Sequence, residues 1–283
     1  MIKHYPHLET ERQGSVLIIR LANEVARNSL SREMRFSLRD VTRELQDDPS
    51  VRSVYLTGKG NTFCSGGDLR MLATASAPWP VHRRFGHSST LFPPFMSLNR
   101  PVVCGVRGHA IGGGLGLALM SDLIIAGESA QFASGFFRLG VVPDCLSLFT
   151  LPRLVGLAKA RNFLFTNATW DAAMAAELGV VLNVVPDTEV DTQGLALAHS
   201  LANGPAQVMG LAKQLLLKSF ETSIQEMMEY EGFGQVLAMS SAEFQEGLAA
   251  LKEKRTADFA GAAAAVASDG MPGSNGGLPS DFA

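Results

Sequence analysis

The chain is poor in the residues that build disulfide scaffolds, membrane spans and nucleic-acid surfaces. Three cysteines occur in 283 residues, Cys64, Cys104 and Cys145. An odd number at no metal-ligand spacing argues against a disulfide framework or a metal site and points to a reducing, cytoplasmic compartment. Positive charge is not in excess, since 24 Lys and Arg stand against 27 Asp and Glu for a net charge of −3. Neither nucleic acid nor an anionic membrane is therefore expected as the main partner. No window approaches the roughly 20 uninterrupted apolar residues of a spanning helix. The opening MIKHYPHLETERQG has no apolar stretch of the signal-peptide kind. What is present, 46% hydrophobic and 18% charged residues, suits a globular protein with a sizeable core.

Strand and helix signals alternate through the first half. Ser15 to Ala22, Val51 to Gly58, the run PVVCGVRGHA and LIIAGE read as strands. Between the first two, Ser31 reads as the N-cap of a helix whose Met34, Leu38, Val41 and Leu45 recur at helical spacing. Alternation of this kind predicts parallel βα units. A helix is expected after the Pro78-Trp79-Pro80 break, and GGGLGLALMSD reads as a glycine-opened helix. From about Gly156 the chain reads as almost wholly helical, with apolar stripes through Leu211, Leu215, Ile224, Met227 and Met228. Residues 262–283 are Ala-, Gly-, Ser- and Pro-rich and read as a disordered tail, since little there can offset ordering entropy.

Two glycine loops each follow a strand and precede a helix: NTFCSGGDL (Asn61 to Leu69) and GHAIGGGLG (Gly108 to Gly116). Glycine lets backbone N–H groups approach a ligand closely. Two such groups converging on one point would hold a developing oxyanion. Phosphate cradling is the rival for the second loop, but the Gly-Lys-Ser/Thr ending of a P-loop is missing. Plain turn chemistry fits either loop alone. A third feature is Asp144, a lone carboxylate in the apolar run RLGVVPDCLSLFTLPRLVG. Burying a carboxylate is costly unless it is paired or hydrogen-bonded. A bland account makes Asp144 the N-cap of the next helix, CLSLFTLPRL.

Together, the stretches ARNSLS, FCSGGDL, PVVCGVRGHAIGGGLGLALMSDLIIA, FFRLGVVPDCLSLFTLPRLVGLAKA and AELGVVLNVVP make the chain resemble the enoyl-CoA hydratase/isomerase (crotonase) superfamily over about residues 10 to 261. The resemblance implies an α/β fold, a crotonase-type ββα spiral of two sheets with a helical C-terminal module. On that basis residues 1–204 form the spiral core with the CoA-thioester site and residues 205–261 a helical trimerisation module, with the tail at 262–283. It further implies an acyl-CoA thioester substrate, coenzyme A as part of that substrate with no separate cofactor, and a homotrimer or hexamer. Carried over position by position, the oxyanion donors fall on the backbone of Gly67 and Gly113. The CoA contacts fall, largely through main chain, on Arg27, Asn28, Ser29, Ser65 and Asp68.

The two glutamates of the family's hydratases correspond to Gly116 and Phe136, neither of which transfers a proton. Non-hydratase members place an aspartate where Asp144 stands, and the wording F-x-x-L-G-V-V-P-D-C is most similar to the 1,2-epoxyphenylacetyl-CoA isomerase group. A single carboxylate suffices for a 1,3-proton shift. The leading expectation is thus an enoyl-CoA isomerase with Asp144 as shuttle. Hydration or another crotonase reaction, and a catalytically reduced CoA-ester binder, are the alternatives. His82 and His87 read as pocket-lining or surface histidines, and Cys64 and Cys145 as filler thiols or nucleophiles. Phe136, Phe137 and Phe149 suit either an acyl pocket or ordinary core.

Overall fold

The computed structural model describes residues 4–68, 79, 82 and 86–269. Strands β1 (Leu8–Gln13) and β2 (Val16–Leu21) form an antiparallel hairpin. Gly14 in the turn has φ +59°. Helix α1 (Arg32–Asp47) starts where the sequence places it: the Ser31 hydroxyl accepts the Met34 N–H, and Met34, Leu38, Val41 and Leu45 are buried. The chain returns as β3 (Ser53–Gly58), parallel to β2 and buried throughout. After α2 (Phe92–Met96), β4 (Val102–Val106) adds in parallel to β3.

Next come β5 (His109–Ile111), the short helix α3 (Gly113–Leu119), β6 (Leu123–Gly127) and β7 (Gln131–Ala133). Helices α4 (Ser147–Val155) and α5 (Leu157–Phe165) follow, then β8 (Thr169–Asp171), α6 (Ala172–Glu177) and β9 (Asn183–Val185). Helix α7 (Val190–Asn203) covers the large sheet, and α8 (Ala206–Lys218), α9 (Ile224–Met239), α10 (Ala242–Glu253) and α11 (Phe259–Asp269) complete the described chain.

The strands form two sheets, ordered β1-β2-β3-β4-β6-β9 and β5-β7-β8. In the large sheet every pairing but β1–β2 is parallel. A parallel sheet must be covered on both faces, and side-chain alternation divides the core accordingly. Val16, Ile18, Tyr55, Val103 and Ile125 face Ala198 and Ala202 of α7. Ile19, Leu21, Val54, Leu56, Val102 and Cys104 face the larger cluster that includes α1. The spiral core is tied to the C-terminal helices by a buried ion pair, Arg52 Nη2 to Glu243 Oε1 at 2.8 Å.

The structure refines three readings of the sequence. The stretch after Gly156 is almost wholly helical, as expected, and the three-residue strands β8 and β9 within it extend the two sheets. Strands that short carry no readable alternation. Residues 262–269, read as the start of a disordered tail, belong to α11. Alanine is the best helix former, and the run AGAAAAVASD continues a helix seated by Phe259, whose ring edge lies 3.3 Å from where a Cβ on Gly247 would stand. Strand β1 is absent from the sequence reading because LETERQ is an edge strand with mostly polar side chains. Of the helix expected after Pro80, the described part holds a 3-10 turn at His87–Thr90 and α2, and the rest lies outside the described residues, as does the expected tail from 270 to 283.

Candidate active site

Both glycine loops and the aspartate come together. Gly67, Gly113 and Asp144 line one cavity of about 350 Å³, along with Ser65 and Asp68. The first loop reaches the second through a short parallel bridge, Cys64 with Ala110, and reaches the segment before α1 through another, Leu30 with Gly67. The Leu30 N–H donates to Gly66 O at 2.8 Å, and the Ile111 N–H to Cys64 O at 3.0 Å. Gly66 has φ +91°, and a Cβ there would stand 2.5 Å from Ile111 O and 3.4 Å from Gly113 N. This is close backbone approach that only glycine permits. Gly114 has the same role one step on, since its Cβ would meet Cys64 O at 2.3 Å.

Gly113 opens α3, so its amide lacks an intrahelical acceptor. Among the described residues neither the Gly67 nor the Gly113 N–H donates to a backbone carbonyl. Neither amide is thus spent on a backbone partner, and both residues line the cavity. Asp144 Oδ1 lies 3.9 Å from the point where a Cβ on Gly113 would stand, which puts the carboxylate at the mouth of α3. It does not cap the helix that follows. Helix α4 begins at Ser147, its N-cap is Leu146 in the left-handed region, and no side chain caps it. Cys145 and Leu146, with φ of +51° and +60°, insert a tight turn between the carboxylate and the helix. The Asp144 backbone carbonyl, rather than its side chain, accepts from Ser147 N–H at 3.0 Å.

The two positions that the resemblance aligns with the hydratases' glutamates are filled by packing. A Cβ on Gly116 would stand 2.4 Å from Cys145 O. Phe136 is buried, lines the cavity, and lies 3.7 Å (Cζ) from where a Cβ on Gly112 would stand. Burial pushes the thiols up, Cys64 to about 12 and Cys145 well above the usual range. Protonated thiols make poor nucleophiles. For Cys145 the neighbouring charge of Asp144 adds to burial, against a smaller opposing effect of Arg35.

Arg27, Asn28 and Ser29 are not among the cavity-lining residues. They form the turn that holds it. Arg27 is exposed and its carbonyl accepts the Ser65 N–H at 3.0 Å. The Asn28 side chain is fully buried and spent on the scaffold: Nδ2 donates to Lys59 O at 2.9 Å and Thr62 O at 2.8 Å, and Oδ1 accepts from Asn23 N–H at 2.8 Å. Ser29 is buried as well. His82 and His87 are exposed, each in edge-to-face contact with an aromatic ring, Trp79 and Phe36 respectively. Phe137 is exposed and Phe149 stacks under the Arg153 guanidinium at 3.5 Å.

Sequence reasoning missed Arg35 and Arg138, both of which line the cavity. Arg35 sits one position beyond Met34, on the margin of the apolar stripe of α1, and nothing in the pattern marks it. Among the described residues no group of three or more His, Cys, Asp or Glu could hold a metal ion. Among them, too, no helix is long and apolar enough to cross a membrane.

Comparison with known proteins gives the same picture. The enoyl-CoA hydratase/isomerase family profile matches residues 11–262. A 1,2-epoxyphenylacetyl-CoA isomerase of Escherichia coli is 33% identical over 255 residues, covering 88% of this chain and 96% of its own. A probable enoyl-CoA hydratase of Mycobacterium tuberculosis is 31% identical, covering 90% and 98%. The crystal structure of an enoyl-CoA hydratase/isomerase from Cupriavidus metallidurans superposes with a TM-score of 0.86 at 30% identity, covering 91% of this chain and 97% of that one. With its two sheets, its C-terminal helices and its paired glycine loops, the chain belongs to the enoyl-CoA hydratase/isomerase family and has the crotonase fold.

Proposed function

We propose that the chain is an acyl-CoA isomerase that moves the double bond of an enoyl-CoA, with Asp144 as the proton shuttle. The observation that carries this reading is Asp144 Oδ1 at 3.9 Å from the Cβ position of Gly113, where a family hydratase would instead use glutamates at positions now held by Gly116 and Phe136. The printed name of the Escherichia coli relative, an acyl-CoA isomerase, points the same way.

In this mechanism the thioester carbonyl oxygen sits on the N–H groups of Gly67 and Gly113. Asp144 removes a proton from the carbon between the carbonyl and the double bond. The released electron pair moves onto the thioester oxygen as an enolate, which the two amides stabilise. The protonated Asp144 then returns the proton two carbons away, the carbonyl reforms, and the double bond has moved into conjugation with no net gain or loss of atoms. The apolar walls contributed by Leu30, Ile111 and Phe136 keep out water that would exchange with the carried proton.

Ser65 and Asp68 at the cavity, with the backbone of Arg27 and Ser29 beside them, would hold the coenzyme A part of the substrate, and the chemistry requires no separate cofactor. Asn28 contributes by shaping that turn. Exposed Leu216, Phe220, Ile224, Met228, Phe233 and Val236 on and between α8 and α9 support assembly into a homotrimer or hexamer, and the composition supports a cytoplasmic protein. The test is absorbance assay of 3-enoyl-CoA and 2-enoyl-CoA esters with the parent and Asp144→Asn. Isomerisation of the 3-enoyl ester by the parent, lost by about 100- to 10,000-fold in the variant, is expected. Hydration of the 2-enoyl ester without isomerisation would make the chain a hydratase, and binding of both esters without turnover would make it a CoA-ester binder.

A further inference from the structure

Cys145 adjoins Asp144 and has no part in the mechanism above. Its backbone is held at φ +51°, a conformation non-glycine residues rarely adopt and which clusters at functional sites. The turn brings the thiol to the same spot as the carboxylate. Cys145 Sγ stands 3.0 Å, and Asp144 Oδ1 3.9 Å, from the point a Cβ on Gly113 would occupy. Both residues line the cavity. The thiol thus lies beside the Asp144 carboxylate, and burial together with the aspartate's charge keeps it protonated. A protonated thiol next to a carboxylate has one role open to it, that of donor.

We propose that Cys145 is a positioning residue: its S–H donates to the Asp144 carboxylate, fixes the rotamer that faces Gly113, and favours the ionised form that can accept a proton. The proposal rests on the reading of Asp144 as the base. A hydrogen bond to the charged form stabilises that form. A thiol is a weak donor, so it orients the oxygen while leaving it able to take up a proton, which an ammonium or guanidinium in the same place would oppose. The other titratable groups that line this cavity among the described residues are Arg35 from α1, Asp68 from the first glycine loop and Arg138. All three stay in place when Cys145 is changed.

Two measurements test the proposal. The first needs no activity: the apparent pKa of the Cys145 thiol, from the pH dependence of its alkylation by iodoacetamide, with Cys145→Ala as the blank for the buried Cys64 and Cys104. In Asp144→Asn that pKa is expected to fall, and an unchanged value overturns the contact. The second is the pH profile of kcat/KM for 3-enoyl-CoA. In Cys145→Ala the rate should drop about three- to tenfold and the acid limb should move to higher pH, because an aspartate without its donor is more readily protonated. KM should change little, and Cys145→Ser, which keeps a donor, should restore the parent limb. A uniform loss at every pH that serine does not restore would make Cys145 only a filler of space and overturn the proposal. Should Asp144→Asn isomerise at the parent rate, the proton-shuttle reading falls and the catalytic role of Cys145 with it, while the alkylation result still decides the contact.

Discussion

Gly116 and Cys145 are packed so closely that no side chain fits between them. A Cβ on Gly116 would stand 2.4 Å from the Cys145 carbonyl oxygen, 2.7 Å from its Cβ and 2.9 Å from Ser147 Oγ. All three contacts are closer than real Cβ atoms reach, and one is to backbone. The resemblance aligns Gly116 with a glutamate of the family's hydratases, and here the turn that follows Asp144 fills the space such a side chain would need. Gly116→Glu is therefore expected to create no hydratase. It should displace the Asp144 turn, abolish isomerisation and destabilise the fold by about 1–3 kcal/mol or more. Hydration of a 2-enoyl-CoA by this variant, with an unchanged melting temperature, would show that the turn moves aside freely.

Gly113 is less tightly enclosed, and its substitutions should grade. A Cβ there would lie 3.0 Å from Cys145 Sγ and 3.0 Å from Leu30 Cδ1, both ends of side chains able to give a little. Gly113→Ala should cost about 10- to 100-fold in kcat/KM. Gly113→Val adds two methyl groups at the mouth of α3 and should lose about 100- to 1,000-fold or more, the range seen when an oxyanion donor is removed. Steady-state kinetics with matched melting curves check both. Valine activity within a few-fold of the parent would remove the Gly113 amide from the site.

Gly67, Gly113 and Asp144 were legible because they stand in long, specific stretches that resemble the family, and all three line one cavity. Helix α1 was readable because its cap and its stripe are local signals. The strand β1 was not, because an edge strand half in water has no apolar alternation. Arg35 and Arg138 reach the cavity only through the way α1 and the turn before Gly140 are packed, which no spacing encodes. Nor does sequence reveal that Asn28, itself one of the expected CoA contacts, spends its amide on holding the loop.

That use of Asn28 leads to a ranked set of variants. The residue is at φ +53°, fully buried, with its Nδ2 donating to two carbonyls and its Oδ1 accepting one N–H. Asn28→Ala loses all three bonds and leaves a Cβ in the left-handed region, an expected cost of about 2–4 kcal/mol. Asn28→Gly regains the backbone freedom and should be milder. Asn28→Asp should be the worst of the three, because a carboxylate oxygen would then face the carbonyls of Lys59 and Thr62. Urea unfolding gives the order, and a parent-like Asp variant would contradict the hydrogen-bond assignment.

The last prediction concerns the tie between the core and the helical module. Arg52 is 5% exposed and Glu243 is 1% exposed. The guanidinium donates to Ala202 O, Gly204 O and Glu243 Oε1, and the carboxylate also accepts from the Gln207 and Val208 N–H groups at 3.3 Å, in the first turn of α8. The two side chains together thus join the approach to β3, the end of α7, the start of α8 and α10. Removing one member of a buried pair leaves the other as an uncompensated charge, typically about 3–5 kcal/mol. Glu243→Ala should reach that range, and Glu243→Gln, which keeps a carbonyl for one N–H, should fall below it. Replacing both partners by methionine removes the stranded charge and should recover part of the loss. Recovery should stay incomplete, since the α8 amides and the carbonyls of Ala202 and Gly204 lose their partners. Urea denaturation followed by circular dichroism measures all four proteins, the parent and these three variants. A Glu243→Ala cost under about 1 kcal/mol, the scale of an exposed bridge, would mean that apolar packing alone holds the module to the core.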